Sequence, residues 1–239
     1  MQQVFERDFM IPPSACDASG RLGYPGAFAV FMDLATEHAE RLGVGLSAMR
    51  KKDRFWLTVK TKIVYYERPA ISERVRLLTW PEKPGPLRFN RSYELRRGDA
   101  LLLAGRTEWA VLNTVTGALA PSADIMPEGM VYERASALAE SYARIPPRFE
   151  GEPFASCRVR STDIDLGGHM NNAAYPRALF GAFSVQALRE KPVRCVDLIF
   201  RAPCHEGDLL SFYKKEEDGR LDLRMARGEE TVLLGRIGF

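Results

Sequence analysis

Apolar positions recur along the chain with two different periods. In "GAFAVFMDLATEHAERLG", residues 26–43, Phe28, Phe31, Leu34, Ala35 and Leu42 fall on one stripe, the pattern of a helix with a single buried face. Gly43 supplies its stop signal. A second segment, "AAYPRALFGAFSVQALREK", repeats the pattern with Tyr175, Leu179, Phe183 and Leu188, and ends before Pro192. It predicts one further helix of about 17 residues. Between and after these segments the period falls to two. Phe55, Leu57, Val59, Thr61, Ile63 and Tyr65 are expected on one strand face, with Lys60 and Lys62 on the other. Further strands are expected at Arg74–Trp80, Arg88–Leu95, Leu101–Asn113, Arg194–Arg201, Asp208–Lys214, Leu221–Arg227 and Thr231–Phe239. A long helix followed by a run of antiparallel strands is an α+β plan in which the sheet wraps the helix.

The plan occurs twice. "RGDALLLAGR" at 97–106 matches "RGEETVLLGR" at 227–236, pairing Gly98 with Gly228, Leu103 with Leu233 and Gly105 with Gly235. "KIVYYERP", ending at Pro69, matches "VDLIFRAP", ending at Pro203, and Asp17-x-x-Gly20 matches Asp165-x-x-Gly168. Three matches in the same order indicate a duplication. The reading divides the chain into a first domain at 1–130, a helix-tinged, proline-bounded linker at 131–150, and a second domain at 151–239.

Composition narrows the class. Apolar residues make up 46 % of the 239 positions and charged residues 27 %, as in globular proteins with an ample core. A net charge of +3 with dispersed Lys and Arg argues against nucleic-acid binding. No apolar run reaches the ~20 residues of a membrane span, and the N-terminus lacks a signal-peptide pattern. The four cysteines show no C-x-x-C spacing, so neither a zinc site nor any other metal is expected, and a cytoplasmic location with free thiols follows. No nucleotide-binding pattern appears, and no cofactor is implied.

The chemistry concentrates in "DIDLGGHMNN", residues 163–172. His169 is one of three histidines. It stands before the second helix, with Asp163 and Asp165 upstream and Asn171 and Asn172 downstream. A carboxylate near an imidazole suits general-base work, and a helix start offers N–H groups to a developing oxyanion. The alternative is a plain helix cap, with Asp165 and Asn171 or Asn172 serving the backbone. The duplicated turn, "DASGRLGY", bears on that choice. It keeps the Asp and the Gly but has Arg21 where His169 stands.

These residues resemble the acyl-acyl-carrier-protein thioesterases, a double hotdog family. The resemblance rests on D-x-D-x-x-x-H-x-N-N at the second helix, on "FWLTVKTKIVYYERPAISERVRLLTW", on "WAVLN" with Thr116, and on "IFRAPCHEGD". It implies two tandem hotdog domains, each an antiparallel sheet wrapped around one long helix. The implied activity is hydrolysis of a fatty acyl thioester borne on the phosphopantetheine of acyl carrier protein, with self-association into a homodimer left open. His169 then matches the family's essential histidine, Asp165 its aspartate and Cys204 its proposed catalytic cysteine. Gly168, Asn171 and Asn172 fall to substrate binding, and Phe28, Phe31 and Leu34 to the acyl pocket.

Two positions depart from the family pattern. Gly167 stands where the family has Asn, and Pro203 where it has Glu; His205 and Glu206 are close enough to substitute. Cys204 also reads as a small buried hydrophobe, and His38 as a structural or solvent-exposed residue. An acyl-CoA thioesterase of the same fold and a non-catalytic acyl-thioester-binding module are the alternatives.

Overall fold

The structure is a computed structural model that describes residues 3–149 and 151–239. It divides into two compact units, Met1–Ser141 and Tyr142–Phe239. Residues 1, 2 and 150, which the sequence assigned to the first domain and the linker, lie outside the described residues.

Unit 1 contains β1 (Phe5–Met10), α1 (Tyr24–Arg41), α2 (Leu46–Arg50), β2 (Arg54–Tyr65), β3 (Arg74–Pro81), β4 (Phe89–Arg97) and β5 (Ala100–Asn113). Its strands form an antiparallel sheet in the order β1-β3-β4-β5-β2. Unit 2 contains β6 (Ala155–Arg158), α3 (Ala174–Gly181), α4 (Val185–Glu190), β7 (Cys195–Phe200), β8 (Leu209–Glu217), β9 (Arg220–Arg227) and β10 (Glu230–Gly238). Its sheet runs β6-β8-β9-β10-β7, the same connectivity element for element. Each unit is thus a hotdog, an antiparallel sheet with its helix packed on one face.

The repeat seen in the sequence has a physical basis in both units. Gly98 (φ +54°) and Gly228 (φ +56°) turn the equivalent hairpins β4–β5 and β9–β10 in the left-handed region. Gly105 and Gly235 lie where the helix meets the sheet. A Cβ on Gly105 would come within 2.7 Å of the Phe31 ring, and one on Gly235 within 3.4 Å of Leu179. A side chain at Gly105 would push the helix off its sheet, whereas one at Gly235 would meet its neighbours at ordinary contact distance.

α1 behaves as its stripe dictates. Phe28, Phe31, Leu34, Ala35 and Leu42 are all buried, and Pro25 sits in the first turn, where its missing N–H costs nothing. At the other end Gly43 (φ +73°) donates to the Glu40 carbonyl and Val44 donates to Ala39, a Schellman closure.

Three expectations are corrected. The second helix is not continuous: it ends at Gly181 and restarts at Val185. Ala182 and Phe183 donate to Leu179 and Phe180 in a tightened turn, and the Ser184 hydroxyl accepts from the Ala187 N–H at 3.1 Å, capping a new helix. The linker contains no helix among its described residues. Around Ala135 and Ala137, its polar groups are taken up by the sheet of unit 1 instead. Trp80 Nε1 donates to the Ala135 carbonyl at 3.0 Å, and the Ala137 N–H donates to Ser92 Oγ at 2.9 Å. Finally, the β2 faces are not those of an unbroken alternation. The register shifts between Thr58 and Lys60, leaving Val59 as a bulge. Trp56 and Thr58 therefore share the helix-facing side with Thr61, Ile63 and Tyr65, while Phe55 and Leu57 fall with Lys60 and Lys62.

Candidate active site

The segment 163–172 folds as a short turn ahead of α3. Ile164 bridges Met170, the Asp165 N–H donates to the His169 carbonyl at 2.9 Å, and the Gly168 N–H donates back to Asp165 at 3.0 Å. Gly168 has φ +75°, which is why a glycine ends the turn. Asp165 and His169 therefore issue from opposite sides of one tight turn, Asp165 half-buried and His169 exposed.

The same turn in unit 1 shows what has been altered. There the Asp17 N–H donates to the Arg21 carbonyl at 2.9 Å, and the Gly20 N–H donates to Asp17 at 3.0 Å. The Asp17 carboxylate is occupied: Ser19 donates to it, and Arg68 closes an ion pair on it. Burial opposes ionisation of Asp17, yet these hydrogen bonds and the Arg68 charge outweigh it and hold the carboxyl below its ordinary value. The equivalent bonds Leu22 to Pro69 and Met170 to Cys204 shift the sequence match of Pro69 with Pro203 by one residue, so that Pro203, which carries no charge, stands at the position of Arg68 in unit 2. Asp165 Oδ1 accepts only from the Gly167 N–H, at 2.8 Å, and no cation pairs with this carboxylate among the described residues. The unit-1 carboxylate is held by a cation; its unit-2 counterpart has no such partner among the described residues.

His169 does not meet Asp165 through its ring among the described contacts. Its imidazole lies against that of His205, with centroids 4.9 Å apart and planes inclined by 56°. The sequence offers His205 only as a substitute for a neighbouring position. The contact was out of reach of sequence reasoning, because the two residues lie on different loops. Asp163 is engaged elsewhere, with Oδ1 accepting from Arg177 at 2.6 Å and Oδ2 from the Arg160 N–H.

The start of α3 is less available to an oxyanion than the sequence suggested. The Asn171 N–H donates to the Asp163 carbonyl at 2.7 Å, Ala173 donates to Asn171 Oδ1 at 2.8 Å, and Ala174 donates to the Asn171 carbonyl at 2.8 Å. Asn171 thus caps the helix through both its main chain and its side chain, and these donors are already used. Asn172 follows, half-buried at the mouth of the helix.

Cys204 is fully buried. Its main chain does the visible work: the carbonyl accepts from Met170 at 2.7 Å, and the N–H donates to the Tyr175 hydroxyl at 3.1 Å. Burial pushes its thiol up from the ordinary value, the reverse of what a nucleophilic cysteine needs. Phe28, Phe31 and Leu34 are packed into the core of unit 1, with Phe31 stacked on Tyr93 at 4.9 Å. His38 is structural. It is buried, stacks on Phe5, and places Nδ1 2.9 Å from the Arg91 guanidinium. No cluster of His, Cys, Asp and Glu among the described residues could hold a metal ion.

Comparison with known proteins bears directly on this arrangement. Residues 2–124 match the acyl-ACP thioesterase N-terminal domain, and residues 149–234 match the C-terminal domain of the same family. An oleoyl-acyl carrier protein thioesterase of Arabidopsis thaliana, described as chloroplastic, is 23% identical over 199 residues, covering 76% of this chain and 55% of that protein. The chain spans about half the length of the curated relatives it matches. Among solved structures, an acyl-ACP thioesterase from Bacteroides thetaiotaomicron superposes with a TM-score of 0.89 at 23% identity, covering 99% of this chain and 98% of that one. A 12:0-ACP thioesterase from Umbellularia californica gives 0.84 at 17% identity over 100% and 97% of the two chains. Both likenesses establish the double hotdog fold. With the two family domains matched in order along nearly its whole length, the chain belongs to the acyl-ACP thioesterase family.

Proposed function

We propose that this protein hydrolyses fatty acyl thioesters carried on acyl carrier protein, releasing a free fatty acid and the phosphopantetheine thiol. The observation that carries the reading is the paired turn: one carboxylate clamped by Arg68, the other left without a cation beside an exposed histidine. In this reaction a water oxygen bonds to the thioester carbonyl carbon and the C–S bond breaks. The proton lost by the water ends on the departing sulfur. Asp165 takes that proton as general base, and His169 is its partner in the transfer. No covalent acyl-enzyme is needed, so Cys204 is assigned a structural role rather than a nucleophilic one. Chain-length selection is assigned to Phe28, Phe31 and Leu34.

The relative from Arabidopsis is named for an acyl carrier protein substrate, which supports the carrier rather than coenzyme A as the thiol. The four free cysteines support a reducing compartment, the cytoplasm. No helix among the described residues is long and apolar enough to cross a membrane.

The test is hydrolysis of matched acyl-carrier and acyl-CoA series, with His169→Ala as control. Release of fatty acid from the carrier series, abolished in the variant, supports the proposal. Tight binding without turnover replaces it with an acyl-thioester-binding module, and preference for the CoA series replaces the carrier.

A further inference from the structure

We propose that His205 is a positioning residue for His169, holding that imidazole in its working orientation by direct ring contact. The inference rests on the thioesterase reading above, and it adds a residue that the family motif does not supply.

The two rings lie 4.9 Å apart with an inclination of 56°, within the range of tilted aromatic pairs. The contact is set by the backbone. Met170 donates to the Cys204 carbonyl at 2.7 Å, and the histidines are the residues immediately before and after this bond. The His205 side is a rigid turn. Its N–H donates to Asp208 Oδ2 at 2.9 Å, Arg227 grips the same oxygen at 2.7 Å, and the Gly207 N–H donates to the Val159 carbonyl at 2.9 Å. On the other side, the hairpin turn alone fixes the backbone of His169. No hydrogen bond from Asp165 reaches its ring among the described contacts, so an exposed side chain would otherwise sample several rotamers.

Unit 1 provides the internal control. It repeats the scaffold bond for bond: Leu22 donates to the Pro69 carbonyl at 2.8 Å, the Ala70 N–H donates to Glu73 Oε2 at 2.9 Å, and Arg97 grips Glu73 at 2.6 Å. Ser72 donates to the Ile11 carbonyl there, as Gly207 does to Val159. On that scaffold the two facing positions are Arg21 and Ala70, which form an isolated bridge. The frame is common to both units, whereas the histidines occur as a pair in one alone. A scaffold role would not require both rings to appear together; an oriented imidazole does.

The experiment compares His205→Ala and His205→Phe in the full chain. The readouts are kcat and KM on an acyl thioester and the side-chain proton resonances of His169, identified by their absence in His169→Gln. His205 is exposed, so both variants should fold. His205→Ala is expected to lower kcat about ten- to a hundredfold with KM within about twofold, the cost of a mispositioned group. It should also remove the ring-current contribution to the His169 resonances. His205→Phe, which keeps a ring, is expected to restore kcat to within a few-fold and to retain that contribution. Unchanged kcat in His205→Ala, a phenylalanine variant as impaired as alanine, or unmoved His169 resonances would each overturn the proposal. Normal hydrolysis by His169→Gln would instead sink the thioesterase site, while the resonances still report on the ring contact.

Discussion

Met170 donates its main-chain N–H to the carbonyl of Cys204 at 2.7 Å, and that bond ties the histidine turn to the loop ahead of β8. Cys204 makes this tie through its backbone. Its thiol is buried and pushed up by that burial. Cys204→Ala should leave kcat within about threefold and lower stability by about 1 kcal/mol, the usual order for a small core deletion. A loss of a hundredfold or more in steady-state assays would restore Cys204 as the nucleophile.

Asp165 and Asp17 occupy the same turn but should respond differently. Asp165→Asn is expected to cut turnover by about two to four orders of magnitude, the range of a general base, with little change in thermal midpoint. Asp17→Asn should do the opposite, lowering the midpoint by removing the Arg68 partner while hydrolysis stays within about twofold. Parallel activity and melting measurements on both variants decide the assignment.

Acid stability follows from the clamped carboxylates. In Asp208, as in Asp17, burial opposes ionisation. The His205 N–H and Arg227 outweigh it at Asp208, as Ser19 and Arg68 do at Asp17, so both carboxyls sit below their ordinary 3.8. A depressed carboxyl contributes stability that is fully present above the unfolded value and is lost as pH falls through the folded one. Urea midpoints should therefore hold from neutrality down to about pH 4 and fall below it. Arg68→Ala should flatten that fall, and an unchanged acid slope would show that the pair is not its source.

The two packing glycines differ in tolerance. A Cβ at Gly105 would approach the stacked Phe31 ring to 2.7 Å, whereas at Gly235 the nearest atom is 3.4 Å away. Gly105→Ala should cost about 1–3 kcal/mol through overpacking, and Gly235→Ala about 1 kcal/mol or less. Denaturant titration of each variant gives the comparison.

Gly167 is where a side chain can be restored. Its unit-1 counterpart is Ser19, which makes the same backbone bond to its Asp at 2.8 Å. Gly167→Asn should fold normally and place a carboxamide beside Asp165. Because the helix-start amides are occupied, a new donor there is expected to raise kcat by about tenfold. A drop in kcat would mean that the added carboxamide obstructs the active site.

Much of this was legible before any coordinates. The stripe of α1, the strand runs, the duplication and the Asp165–His169 turn all depend on neighbours within a few residues or on self-similarity, and one-dimensional patterns carry such information. Periodicity failed where a single residue breaks the count. The Val59 bulge exchanged the faces of Phe55 and Leu57, and the Ser184 cap split the second helix. The linker resisted reading for another reason: Ser92 and Trp80, far away in sequence, satisfy its backbone.

What only the tertiary structure decided are the distant partners that give similar turns different surroundings. Arg68 closes on Asp17 from another segment of the chain, and Pro203 leaves Asp165 open. His205 meets His169 across a loop contact, and Asn171 uses up the donors at the start of α3. Charge, proton availability and ring orientation act through space over a few ångströms. The sequence by itself therefore determined the scaffold and the residues offered at the site, while the folded chain determined which partners each of them meets.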